Sequence, residues 1–151
     1  MASQYITGVK LRSLDLKIID EFVANLQEEL NIHRLRSKWI NIKFVKSVDG
    51  NMGDCIGDTS DVDIRINKTM DWKDQMITLA HEMVHAEQFL RGKLTDGAYW
   101  RNRNYEKCEY ERLPWEMSAH QLEEKLYEKC YPEWAPMYPV GLPADFRKSG
   151  Y

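Results

Sequence analysis

The apolar residues of this chain change their spacing twice, and those changes confine what it can fold into. In SLDLKIIDEFVANLQEELN, residues 13–31, Leu14, Ile18, Ile19, Phe22, Val23, Leu26 and Leu30 recur at helical intervals, which marks an amphipathic helix. The period then drops to two. In KWINIKFVK, residues 38–46, Ile40, Ile42 and Phe44 alternate with Asn41, Lys43 and Val45, as in a half-buried strand. In DVDIRIN, residues 61–67, Val62, Ile64 and Ile66 share one face while Asp63 and Arg65 share the other; the charged face reads as that of an edge strand. From Trp72 to about Arg91 the helical period returns, with Met76, Leu79, Ala80, Met83 and Leu90 on one face. Neither pattern can serve the other element. The class this implies is α+β: a small twisted sheet packed against an N-terminal helix, a central helix and a C-terminal helix.

Local signals set the boundaries. Ser13 suits the start of the first helix, since its hydroxyl can accept from the first free amides. Asp71 with Asp74 reads as a weak capping box before Trp72, and Gly92 as the stop after Arg91. His33, just past the first helix, reads as a C-terminal cap. The Gly- and Asp-rich stretch 48–61 reads as turns around a short strand at Met52–Ile56. Residues 93–112 show no period, but Tyr99, Trp100, Tyr105 and Tyr110 argue against disorder there. Pro114 opens the last helix and Pro132 stops it. The expected order is α-β-β-β-α-α. Residues 1–151 make one domain, with 131–151, which hold four of the five prolines, as a tail wrapping the surface.

The totals exclude more than they assign. A net charge of −3 asks for no nucleic acid and no membrane surface. The opening MASQYITGVK has no apolar leader region, and no apolar run approaches a membrane span. Cys55, Cys108 and Cys130 form no CxxC pair, so they read as small core residues of a reducing, cytoplasmic compartment. The expected state is a monomer.

Chemistry enters at HEMVH, residues 81–85. On a helix, residues i and i+4 are separated by ~6 Å of rise and ~40° of rotation, so two imidazoles there can share one zinc ion. Glu82 lies ~100° round from His81, within reach of a water on the metal. It is the expected general base and acid. HExxH arises in roughly one in a hundred shuffled chains of this composition, so context must carry the reading. Here the motif lies inside a helix, off its apolar stripe, and a second helix with a carboxylate in its first turn follows.

A catalytic zinc takes three protein ligands and keeps one position open. A third histidine six residues after His85 is ruled out, because that place holds Arg91. Glu116 in LPWEMSAH is the preferred third ligand, with His120, one turn on, as its rival or as a hydrogen-bonding support. Tyr99, Tyr105, Tyr110 and Arg112 precede that helix and are candidates for stabilising an oxyanion, Tyr105 and Tyr110 foremost. Trp100 and Trp115 read as anchors, and Gln88 as either a partner of His85 or a surface residue.

HEMVH followed about thirty residues later by PWEMSAH resembles the zincin metallopeptidases of the gluzincin, glutamate-ligand type. The closer likeness is to short SprT-like and phage-encoded metallopeptidases, over roughly residues 38–130. The resemblance implies a minimal zincin-like fold, one zinc ion on His81, His85 and Glu116, catalysis by Glu82, and an edge strand, matched here by DVDIRIN, that binds extended peptide. It also implies host cytoplasm if the chain is phage-encoded. No Cys-rich ribbon follows, which argues against DNA repair. The expected activity is endopeptidase action on a peptide or protein substrate. Two alternatives stand beside it: a catalytically silent metal- or protein-binding module, and a zinc hydrolase of non-peptide amides.

Overall fold

The computed structural model describes residues 2–136. Strand β1 (Ser3–Thr7) leads into helix α1 (Leu14–Glu29), then β2 (Trp39–Val45), β3 (Gly53–Gly57), β4 (Asp61–Asn67) and helix α2 (Trp72–Leu90). Three two-residue strands follow: β5 (Leu94–Thr95), β6 (Tyr99–Trp100) and β7 (Arg103–Asn104). A 3-10 turn (Tyr110–Arg112) then precedes helix α3 (Pro114–Cys130). The class is α+β, as the change of period implied.

The main sheet runs β1-β2-β4-β3, with β1, β2 and β4 parallel and β3 antiparallel against β4. Ile40, Ile42 and Phe44 of β2 and Val62, Ile64 and Ile66 of β4 face inward. They meet Ile18, Ile19, Phe22, Val23 and Leu26 of α1 and Met76, Leu79, Ala80 and Met83 of α2 in one core. Each side chain so buried contributes about 1.5–3 kcal/mol. Among the described residues no helix is long and apolar enough to cross a membrane.

Several expectations change. The chain contains β1, whose five residues alternate with Gln4 and Ile6 partly buried, Ile6 being the one apolar side chain that joins the core, too little apolar signal to register. DVDIRIN is not the edge: β4 is hydrogen-bonded to β2 on one side and β3 on the other. Its charges face outward because helices cover only the other face, so Asp63 lies beside Asn41 and Arg65 pairs with Asp54 and Asp49. The edges of the sheet are β1 and β3, and β3 is the one beside α2. Residues 93–104 form a three-stranded meander, whose strands are too short for any period to show. Its turns place Asp96-Gly97 and Arg101-Asn102 at positive φ, the backbone of tight hairpin turns.

The caps divide. Ser13 Oγ accepts from Leu16 N–H at 3.1 Å, as its position implied. Asp71 stands at the N-cap of α2 but its side chain makes no capping bond, so the capping box does not form. His33 caps α1 through its backbone, its N–H donating to Gln27 C=O at 3.3 Å. Asn31, at φ 59°, turns the chain there, and Ile32 N–H closes onto Gln27 C=O. Past α3, Tyr131 packs edge-on against Phe22, and Trp134 donates to Glu21. Residues 137–151 of the expected tail lie outside the described residues.

Candidate active site

α2 is buried on nearly every side. Its apolar stripe lies on the sheet, and α3 closes over the opposite face, so His81, Glu82 and His85 are 8%, 5% and 5% exposed. A solvated face bearing two surface histidines is thereby excluded. Pro114 starts α3 without an N–H to satisfy, and Glu116 follows in the first turn. There its Oε1 reaches 3.0 Å from His81 Nε2 and 3.1 Å from His85 Nε2, while the two nitrogens lie 3.2 Å apart.

Two things can hold that triangle together: protons on the ring nitrogens, or a cation shared by the three atoms. Gln88, buried, donates through Nε2 to Trp115 C=O at 3.2 Å, which turns its Oε1 to His85 Nδ1 at 2.8 Å. In the tautomer that donates from Nδ1 to Gln88, His85 Nε2 turns its lone pair toward the carboxylate oxygen of Glu116. Facing lone pairs in a buried site need positive charge between them. The spacing suits a cation: tetrahedral ligands at about 2.0–2.1 Å from a metal are separated by about 3.3 Å. His81, His85 and Glu116 could thus hold a metal ion. His120 groups instead with His81 and Glu123.

The electrostatics agree. Burial acts to raise the Glu116 carboxyl, but hydrogen bonds from both histidines outweigh it and hold the group well below the usual carboxylate range. Burial acts to lower His81, yet the bond to Glu116 and the charges of Glu82, Glu116 and Glu123 leave it raised. Glu82 goes the other way. Burial pushes it up to about 7, assisted by Glu116 and Asp54, against the pull of His85 and His81.

These groups open onto a cavity of about 490 Å³ between β3 and α3, lined also by Met52, Cys55, Tyr110 and His120. Gly53 is what lets α2 lie so close to its floor. A Cβ there would meet Thr78 Cγ2 at 2.8 Å and Arg65 O at 2.9 Å. Tyr110 is half-exposed, its hydroxyl donating to Glu116 Oε1 at 3.0 Å with His120 Nε2 3.3 Å away. Tyr105 stands elsewhere: its ring packs edge-on against Trp115, 5.8 Å between centroids, outside the cavity lining. Tyr99 pairs with Asn104 in the meander, and neither it nor Arg112 lines the cavity. Trp115 is buried and stacked near Trp100, so both tryptophans do anchor the loop. Of the cysteines only Cys130 is buried; Cys108 is partly exposed, and Cys55 forms part of the cavity wall. Sequence reasoning passed over Glu123, although Glu116, His120 and Glu123 fall on one helix face.

His81, His85 and His120 thus line one cavity with Glu82, Glu116 and Glu123 in an α+β frame. Comparison with known families is more specific: the family model Peptidase_M91, described as effector protein, matches residues 13–149, and the chain belongs to this peptidase family. No curated protein matches the chain.

Proposed function

We propose that the protein is a zinc-dependent endopeptidase of the gluzincin type, with His81, His85 and Glu116 as ligands of one zinc ion. The observation that carries this reading is the triangle of ligand atoms at 3.0, 3.1 and 3.2 Å, a grouping that could hold a metal ion. Zinc held there supplies a Lewis acid that polarises a carbonyl and lowers the pKa of water. Glu82, buried beside the ligands, takes the proton of the attacking water and returns it to the leaving amine. A carboxyl held near neutrality can do both. The Tyr110 hydroxyl, aimed at the same face, donates to the oxyanion of the attacked carbonyl. Tyr105 packs the loop.

β3 binds the substrate. Met52 C=O and Asp58 N–H bond back to Asn67 and Asp61. Antiparallel pairs alternate, so the main-chain groups of Gly53, Cys55 and Gly57 face the open edge. An extended peptide can add there as a further strand beside Glu82. Kinship with SprT-like and phage-encoded metallopeptidases belongs to this reading, as does a single domain over 1–151 working as a monomer in the cytoplasm, without nucleic acid or membrane.

The test uses an unfolded protein substrate, wild type and Glu82→Gln. Cleavage should stop on chelation, return with zinc, and be lost in E82Q. Equal activity of the two proteins would defeat the proposal.

A further inference from the structure

α3 presents three groups to the cavity, and the reading above uses only the first. The third, Glu123, is mostly covered, its side chain 20% exposed. Its Oε1 lies 2.8 Å from His120 Nδ1 and 3.5 Å from His81 Nδ1. Both are the nitrogens turned away from the proposed reaction centre. The opposite nitrogens point inward: His81 Nε2 to Glu116, His120 Nε2 to the Tyr110 hydroxyl. The two imidazoles lie close, 4.6 Å between ring centroids with their planes inclined by 57°, so one carboxylate can serve both.

Such a carboxylate acts on ligands through the proton it accepts. A neutral imidazole that donates from Nδ1 has its lone pair on Nε2. For His85, Gln88 Oε1, a neutral amide oxygen, faces Nδ1 at 2.8 Å; for His81 the Glu123 carboxylate faces Nδ1 at 3.5 Å, an ion-pair distance. Carboxylate support of a ligating histidine fixes its ring and strengthens donation to the metal.

We propose that Glu123 is a positioning residue of the metal centre: its one oxygen sets the tautomer and orientation of His81 and holds His120 so that Nε2 faces Tyr110 and the cavity. This rests on the zinc reading above. The competing account makes Glu123 an i,i+3 partner of His120 that only steadies α3.

The experiment uses the full chain as wild type, E123A, E123Q, H120A and the control E124A, since Glu124 is exposed on the same helix. Zinc affinity is read by competition with a chromophoric chelator, and stoichiometry, kcat and urea stability of the metal-free protein are read alongside. E123A should bind zinc about 10- to 100-fold more weakly, with E123Q losing less because its amide oxygen still accepts from Nδ1. H120A should keep wild-type zinc affinity and lose kcat, and E124A should change neither. Wild-type affinity in E123A overturns the proposal, as does a loss explained by metal-free unfolding that E123Q does not share. Should E123A fail to fold, E123Q decides alone: weaker affinity supports the role and equal affinity overturns it. His81, His120 and Glu123 could also hold an ion of their own. A second zinc equivalent that disappears in both E123A and H120A would replace positioning with ligation. Absence of stoichiometric zinc in wild type would instead remove the zinc reading itself.

Discussion

Replacing Glu82 with glutamine should abolish cleavage and, in metal-free protein, raise stability by an amount that depends on pH. Glu82 is 5% exposed, and burial lifts its carboxyl from 4.5 to about 7. Between those values the folded chain keeps a proton that the unfolded chain releases. A raised carboxyl therefore favours folding least at high pH, and wild-type stability falls as pH climbs from 4.5 through 7. A shift of about 2.5 units at about 1.4 kcal/mol each is about 3.5 kcal/mol in full, of which about 3 develops between pH 4.5 and 8. Glutamine does not titrate. The stability difference, E82Q minus wild type, should therefore grow by about 3 kcal/mol between pH 4.5 and 8. Glu116, whose carboxyl is held low, contributes stability in the opposite sense, which is why the difference rather than either curve is informative. Urea unfolding with chelator at pH 4.5, 5.5, 6.5 and 8 measures it. A gap that stays level, or narrows as pH rises, would refute an uncompensated buried carboxyl at position 82.

Other expectations follow from named contacts. Tyr110→Phe should lower kcat about 10²- to 10³-fold with zinc binding intact, as for loss of one oxyanion donor, whereas Tyr105→Phe should leave kcat near wild type; steady-state kinetics on one peptide compares them. Gln88→Ala frees the His85 tautomer and should weaken zinc about 10- to 100-fold in a chelator titration. Trp115→Ala empties the space packed by Trp100 and Tyr105 and should cost about 3–5 kcal/mol in urea unfolding. Cys55→Pro, which removes an edge N–H, should raise KM more than it lowers kcat if the substrate pairs with β3.

What the sequence disclosed followed from how strongly each segment is patterned. α1 and α2 carry long apolar stripes, and β2 and β4 alternate over seven residues, so all four were legible. β1 and the β5–β7 meander are short, and their stability comes from partners distant in the chain. Edge and centre were confused because a one-sided sheet leaves charges on the outer face of central strands too, Asp63 and Arg65 of β4 as much as Asp54 of β3. Spacing alone placed His81, Glu82 and His85 on one helix, but it could not say that α3 buries them. It left Glu116 and His120 open as third ligand, since both face the cavity one turn apart. It also could not separate Tyr105 from Tyr110, because the meander that turns one into the core and the other into the cavity has no period to read. Glu123 was overlooked because a glutamate in LEEK reads as solvated surface.

Zinc content tests the central claim most directly. Purified wild-type protein and H120A should each carry one zinc ion per chain by elemental analysis, while E116A, H81A and H85A carry none under the same dialysis. Zinc retained by E116A and lost from H120A, or no stoichiometric zinc in wild type, would contradict the account.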